Sequence, residues 1–454
     1  MTIRGRQAED PRSSVTTREL VFNAKLRTVQ RSVRALVDEL AANERLPLEK
    51  IEALQRSRRA SIAAFAQANT AFYAERFRDA GLSVGDLADP EAWASLPITT
   101  KTHLRENNQQ IRSSEAIGRN TREVRTSGST GQPNITLVDA RFASIALSWR
   151  MQKWWGIDPW EDAARIDRGV RGLKESLAGG ARWWPTRRLY LQLWQLDEAS
   201  VRQFARTCLS VRPVMLEGQV AALFEVAEMA AAGTITFPPF RAVGVTASQL
   251  MPSVRLRLEE VYGAPVYDQY RCAEVPFLAG ECRAQSGMHI FSDYRYLEVV
   301  DDSGRPVPDG EEGDVVVTDL SNRVFPIIRY KLGDRARIRT APCTCGITMP
   351  LMESPLGRAN EVLRLPDRKT LVSGLNNAFW DRPDAARQYQ VHQRADYSIV
   401  LRVIPGEATD YREVTDQVAE MIRTRCKNQV PVSIEYVNRI DAVNGKFSYV
   451  ICDV

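Results

Sequence analysis

Apolar positions in residues 17–42 (TRELVFNAKLRTVQRSVRALVDELAA) recur at Leu20, Leu26, Val29, Val33, Leu36, Val37 and Leu40. Steps of three and four place them on one helix face, so the spacing predicts a helix over this span. A second helical pattern covers about 49–68, and LPITTKTHLREN (96–107) reads as a helix start in which Thr99 or Thr100 accepts from first-turn amides. From about 120 to 340 the period changes. Short apolar β-runs (AVGV, APVYDQY, RYLEVVD, GDVVVTD, ARIRT) alternate there with helical patterns such as VAALFEVAEMAAAG and MPSVRLRLEEVYG, which argues for an α/β body. After Pro355 come a strand-like YSIVLRVIPG, a helix-like YREVTDQVAEMIRTRC and a last strand VPVSIEYV, which predict a small α+β domain. Residues 1–16 read as a polar tail.

Composition narrows the function classes. The 454 residues are 44% hydrophobic, enough for two or three domains with a substantial core. There is no apolar run of 18 residues and no signal-peptide stretch near the start, so a cytoplasmic protein without membrane spans is expected. The 61 basic and 56 acidic residues are interspersed and form no basic tract, which argues against nucleic acid and for a small anionic ligand. Seven cysteines without a disulfide-scaffold spacing are expected to be reduced thiols.

One short loop departs from every core pattern. RTSGSTGQPN (125–134) combines Gly128 and Gly131, which let backbone amides converge, with the hydroxyls of Ser127, Ser129 and Thr130. Such a loop can wrap the oxygens of a polyphosphate. It lacks the lysine of a Walker loop, and NITLVDA after it reads as a strand rather than a helix.

The loop resembles the TSGSTGxP signature of the adenylate-forming superfamily of acyl- and aryl-CoA ligases, most closely the phenylacetate-CoA ligase-like branch. Other stations follow in order over roughly 95–450. LPITTKTHLREN is similar to the branch's LP-x-T-K-x-x-LREN stretch, and YDQYRCAEV (267–275) stands where the family has Y-G-x-T-E. TDLSNRVFPIIRYKLGDRARI (318–338) resembles the branch's TDL-x-NR-x-x-P-x-IRY-x-x-GD segment. GRANE (357–361) resembles the GR-x-D hinge, and NGKF (444–447) lies where the family carries a C-terminal lysine. The resemblance implies an α/β fold with a large multi-sheet N-terminal adenylation domain over 17–356 and a small, mobile α+β C-terminal lid domain over 357–454.

What the resemblance implies for chemistry is an acid activated by ATP. Thr126 through Gly131 would hold the β,γ-phosphates, Tyr270 would belong to the nucleotide site, Glu274 would bind Mg²⁺, and Asp334 would accept from the ribose hydroxyls. Arg358 would reach ribose or phosphate from the hinge. Lys446 would meet the α-phosphate and the carboxylate when the lid closes. The implied partners are a small carboxylic acid, ATP (leaving AMP) and coenzyme A or an amine; self-association as a homodimer is compatible with it. Some positions depart from the family pattern: Arg271 replaces its Gly, Gln249 a common Glu, Asn360 the hinge Asp, and Asn134 stands where many relatives carry Lys. The stretch 371–391 looks shortened beside that pattern, which keeps an amide-forming synthetase open as a second reading. A nucleotide- and zinc-binding protein without catalysis is a third.

A separate constellation points to metal. Cys282 and His289 flank six residues, and Cys343 and Cys345 form a CxC about fifty residues on, a Cys₃His set suited to tetrahedral Zn²⁺. Four protein ligands leave no open position, so the expected role is structural, and some members of the resembled branch carry such a site. Six of nine tryptophans fall between 149 and 184; core packing is the simpler reading and an aromatic wall for an aryl acid the other. His103 and His392 are expected to be surface or capping residues.

Overall fold

The computed structural model describes residues 16–83, 85–126, 134–167, 180, 183–193, 196–247, 250, 252–355, 362–367, 370–372, 375, 378–379, 382, 384–440 and 450–454. Helices α1 (Thr17–Thr28), α2 (Arg31–Asn43), α3 (Leu48–Asn69) and α4 (Ala71–Asp79) open the chain. The single helix expected over 17–42 is thus two. Gln30 leaves helical geometry (φ −122°, ψ 44°), and Val33 and Val37 beyond the break still pack on the cluster of Phe22 and Leu26. Phe22 and Leu26 of α1 pack on Trp149, whereas Leu36 and Leu40 of α2 join the core around Trp155 and Met215. Val29, counted on the apolar face, lies at the break and is 79% exposed.

Short helices α5 (Pro90–Ser95), α6 (Lys101–Glu106) and α7 (Asn108–Ile111) follow. Thr100 caps α6 by accepting from His103 N (3.3 Å), and His103 Nδ1 accepts from Thr100 N (3.2 Å), so the expected cap is formed and His103 completes it. His392 is paired with Asp453 at 2.6 Å.

The body is an 11-stranded mixed sheet. Its strands are β3 (Ala163–Asp167), β4 (Arg188–Gln192), β5 (Met215–Gln219), β6 (Ala242–Thr246), β7 (Val266–Tyr270), β8 (Ala279–Glu281), β9 (Met288–Ile290), β10 (Arg295–Val300), β11 (Glu312–Asp319), β12 (Tyr330–Arg339) and β13 (Leu351–Met352). The spatial order is β10-β11-β12-β13-β9-β8-β7-β6-β5-β3-β4. Strands β3 to β7 run parallel and the others pair antiparallel. Parallel strands must be covered on both faces. Leu216, Val243 and Val266 face the helices Glu198–Val211, Val220–Met229 and Pro252–Tyr262, while Met215, Ala242 and Tyr267 face α8 (Ile145–Trp154) and α2. A separate hairpin, β1 (Thr121–Thr126) with β2 (Asn134–Asp139), closes its register at Thr126↔Asn134 and so brackets segment 127–133.

Beyond the body, β14 (Val362–Arg364) pairs with β15 (Thr370–Val372), and β16 (Ala386–Gln393), β17 (Ile399–Pro405), β18 (Val432–Tyr436) and β19 (Val450–Cys452) form a sheet in the order β18-β17-β16-β19. With the helix Tyr411–Arg425 they enclose a core of their own that includes Tyr389, Val391, Leu401, Val418, Ile422 and Val450. Strand β19, parallel to β16, lies beyond the strand expected to be last; three residues are too short to show a period. Arg425 meets Glu225 of the body at 3.2 Å.

Trp149 and Trp155 are core residues, whereas Trp184 is 60% exposed. Trp149 sits edge-on to Phe22 at 5.6 Å, and Trp155 stacks on Tyr267 at 5.1 Å.

Buried charges fix the strands that matter below. Arg329 is 1% exposed, and its guanidinium donates to the carbonyls of Ala94 (2.5 Å), Leu96 (2.6 Å) and Gly304 (2.7 Å) and pairs with Glu298 (3.2 Å). On the same residue's backbone, Thr99 N donates to Arg329 O (2.8 Å) and Lys331 N donates to Thr99 O (2.9 Å), so LPITT is bridged to IRYK. Removing one partner of a buried ion pair typically costs about 3–5 kcal/mol. Arg329→Leu is therefore expected to destabilise the body by that order in urea denaturation, with part of the loss recovered by adding Glu298→Leu.

In β7, Asp268 is 4% exposed and accepts from Ser354 Oγ and from Gln269 N, both at 2.8 Å. Burial, reinforced by the neighbouring Glu281 carboxylate, pushes its carboxyl up to about 6. Unfolded aspartate titrates near ~4. Between those values the folded chain holds a proton that the unfolded chain has released, so this group makes stability fall as pH rises through the window. Asp268→Asn, which mimics the protonated form, is expected to raise stability at pH 7 by on the order of 2 kcal/mol and to add nothing at pH 4. Denaturation at both pH values checks this; an equal change at both would contradict it.

Candidate active site

The end of β7 gathers three of the residues singled out in the sequence. Tyr270 donates its phenol proton to Asp334 Oδ2 at 2.8 Å, joining β7 to β12. In the turn after β7, Val275 N donates to Cys272 Sγ at 3.2 Å, which folds RCAEV back on itself. Glu274 in that turn is buried, and Tyr330 of β12 donates to its Oε1 at 3.4 Å. Each carboxylate thus accepts from a tyrosine of the other segment, Asp334 of β12 from Tyr270 and Glu274 after β7 from Tyr330. That arrangement suits a hard cation and a polyhydroxyl group approached from one side.

Gly333 lies just before Asp334 with φ +85°, a backbone state that favours glycine, so the GD pair bends β12 where Asp334 is presented. Thr126 ends β1. Ser127, Gly128, Ser129, Thr130 and Gly131, together with Gln249, Arg358, Asn360 and Lys446, lie outside the described residues.

The opposite side of the same strand end is charged. Arg271 Nη1 donates to Glu217 Oε1 (2.6 Å) and to Gln269 Oε1 (3.3 Å), and its guanidinium stands 4.6 Å from the Phe277 ring centre. Arg165 of β3 holds the other oxygen of Glu217 at 2.8 Å. Burial alone would raise the Glu217 carboxyl; the charges of Arg165 and Arg271 outweigh it and hold it below the ordinary value. Arg188, beside Trp183 on β4, is drawn down to about 10 by burial and by the Arg165 charge. The bulky cation at Arg271 is therefore held, partly exposed, in an ion-pair row around the buried Glu217 carboxylate. Glu217 and Arg165 were not signalled, because single charged residues in short strands carry no pattern of their own.

The Cys/His set comes together as its spacing suggested. The donor atoms of Cys282, His289, Cys343 and Cys345 all lie within 4.8 Å of one another. Cys282 Sγ and Cys343 Sγ are 3.7 Å apart, and Cys345 Sγ is 3.3 Å from His289 Nε2. His289 Nδ1 meets Met349 O at 2.9 Å, which turns Nε2 toward the thiols, and backbone N–H groups of Ala284 and Ile347 donate to Cys282 and Cys345 sulfurs at 3.4 Å. Thiolates sharing one tetrahedral Zn²⁺ at ~2.3 Å sit about 3.8 Å apart, so the donor set fits such an ion. Trp154 packs edge-on to His289 at 5.6 Å and donates to Glu44 at 2.9 Å, which ties the cluster to the N-terminal helices.

No protein-family model matches the chain. Over 405 residues it is 25% identical to the phenylacetate-coenzyme A ligase of Thermus thermophilus, covering 83% of this chain and 86% of that protein. Over 409 residues it is 25% identical to the phenylacetate-coenzyme A ligase of Escherichia coli, covering 86% and 91%. Among solved structures, 2-hydroxyisobutyryl-CoA ligase with 2-HIB-AMP and CoA in the thioesterification state superposes with a TM-score of 0.65 at 21% identity, covering 90% of this chain and 91% of that one. The open conformation of the same ligase gives 0.61 at 20% identity, covering 90% and 93%. By sequence and fold together, this chain is a relative of the phenylacetate-coenzyme A ligases with the fold of the adenylate-forming CoA ligases.

Proposed function

We propose that this protein is an ATP-dependent ligase that activates an aromatic or related carboxylic acid as its acyl-AMP, releases pyrophosphate, and passes the acyl group to coenzyme A. The observation that most supports the reading is the pair of hydrogen bonds that links the end of β7 to β12, Tyr270 to Asp334 and Tyr330 to Glu274, in a chain similar over most of its length to ligases of that name. In the first step a carboxylate oxygen bonds to the α-phosphorus and the bond to pyrophosphate breaks. The protein's task is then to position and neutralise phosphates rather than to supply a nucleophile.

In this reading the 127–131 loop holds the β,γ-phosphates, Asp334 accepts from the ribose hydroxyls, and Tyr270 fixes the Asp334 carboxylate by the bond it donates. Glu274 would hold Mg²⁺, which when bound offsets the phosphate charge. Arg358 contacts ribose or phosphate, and Lys446 approaches the α-phosphate and the carboxylate from the C-terminal unit acting as a lid. In the second step the CoA thiol attacks the acyl carbon and AMP leaves. The choice of CoA rests on the names of the relatives.

We further infer that Cys282, His289, Cys343 and Cys345 bind one structural Zn²⁺. The ion would clamp the loop after β12 to β8 and β9, next to the strand that carries Asp334.

Acid-dependent ATP–pyrophosphate exchange is expected for one class in a panel of benzoates, phenylacetates and aliphatic acids, and Lys446→Ala is expected to reduce it at least 100-fold, the scale of losing one charge-stabilising donor. CoA, and not an amine, should then turn exchange into net product. Nucleotide binding without exchange for any acid would instead mark a protein that has lost catalysis. Elemental analysis of the purified protein should give one zinc per chain, lost in Cys343→Ser together with a lower Tm; a zinc-free, equally stable wild type would contradict the metal assignment.

A further inference from the structure

Three residues near the end of β7 carry side-chain donors without a hydrogen bond to the described residues, two of them buried. Arg165 Nε and Gln269 Nε2 are buried and make no hydrogen bond. Arg271 uses Nη1 for both Glu217 and Gln269, and neither Nε nor Nη2 bonds to a described residue. A buried donor left unpaired costs about 1–3 kcal/mol, a cost that structures avoid unless something outside the chain meets it.

Three guanidiniums, Arg165, Arg188 and Arg271, stand around the buried carboxylate of Glu217. Asp162 is engaged by Arg18 at 2.9 Å and also acts on Arg188, and Asp167 at the end of β3 acts on Arg165. Tyr190 faces Arg165 across the β3–β4 register. Arg271, its side chain 28% exposed, keeps guanidinium donors beyond those the row uses, and a planar guanidinium with donors to spare is a recognition element for a carboxylate.

Position adds the link to the reaction. Tyr270 reaches Asp334, while the next residue, Arg271, reaches Glu217, so one strand end serves two sides. Arg271 occupies the position where the resembled motif has glycine, which has no side chain with which to contact an acyl group. Resting on the adenylation reading above, we propose that Arg271, oriented by Glu217 and backed by Arg165, is a specificity-determining residue that takes a second carboxylate on the acid substrate. The favoured substrate class is then a dicarboxylic acid, one carboxylate going to the α-phosphorus and the other to Arg271. Glu217 acts as a positioning residue: it keeps both guanidiniums in place without touching substrate.

The test is pyrophosphate exchange with wild type, Arg271→Met and Arg271→Lys, using benzoate and phenylacetate beside their ring-carboxylated counterparts isophthalate and homophthalate. The expected result is a wild-type preference for the dicarboxylates in kcat/KM, carried by KM. Arg271→Met should reduce the ratio of dicarboxylate to monocarboxylate at least tenfold, and Arg271→Lys should restore part of it. Since Arg271→Met leaves Glu217 with one partner, its Tm is recorded; the within-variant ratio of two acids is insensitive to the fraction folded. Preference of the wild type for the monocarboxylates, or a ratio unmoved by Arg271→Met, overturns the proposal while leaving adenylation intact. Absence of exchange with all four acids and the wider panel overturns the adenylation reading, and this proposal with it.

Discussion

A single fully buried guanidinium orders the strand on which the candidate site depends. Arg329 could not be placed 1% exposed unless most of its donors found acceptors, and it finds them in Glu298, in the carbonyls of Ala94 and Leu96 at the end of α5 and in that of Gly304 after β10. The next residue begins β12, so the geometry imposed by Arg329 passes directly to Tyr330 and, four residues further, to Asp334. The same contact seats the LPITT segment, bridged through Thr99. An arginine in a segment that resembles a nucleotide-site motif thus acts as scaffold, while the residues after it face the site.

The second organising feature is the end of β7, where neighbouring side chains part toward different partners. Tyr270 closes the gap to β12, and Gln269 and Arg271 turn to the charge row on β3 and β5. Gly244 on β6 makes room for this row: a Cβ there would stand 2.6 Å from Gln269 Nε2 and 3.0 Å from the Trp155 ring. Trp155 in turn stacks on Tyr267 and donates to Glu281 O at 2.8 Å, which joins α8 to the strands leading into the Cys/His cluster. Site, charge row and cluster are therefore packed on the same few strands.

Long periodic segments were legible from sequence. The helices Leu48–Asn69 and Tyr411–Arg425 and the strands β6, β7, β10, β11 and β12 follow their patterns, whereas the parallel strands β3, β4 and β5 were not among the expected runs. The break at Gln30 was not legible, since the apolar period runs through it. The Cys₃His set was legible because such residues at such spacing have few other uses, and its four donors do converge. Asp334 and Glu274 could be named only through resemblance; a lone GD or a buried Glu carries no local signal. Glu217, Arg165 and Asp268 gain their meaning from register across strands, which spacing along one strand does not encode.

The most direct test of the central claim follows an atom. The acid found active is prepared with both carboxylate oxygens labelled with ¹⁸O, turned over with ATP and CoA, and the nucleotide product is analysed by mass spectrometry. If the carboxylate attacks the α-phosphorus and the thiol then displaces AMP, one ¹⁸O stays on AMP and none enters pyrophosphate. Label in inorganic phosphate with ADP as the nucleotide product, or unlabelled AMP formed alongside thioester, would contradict the account.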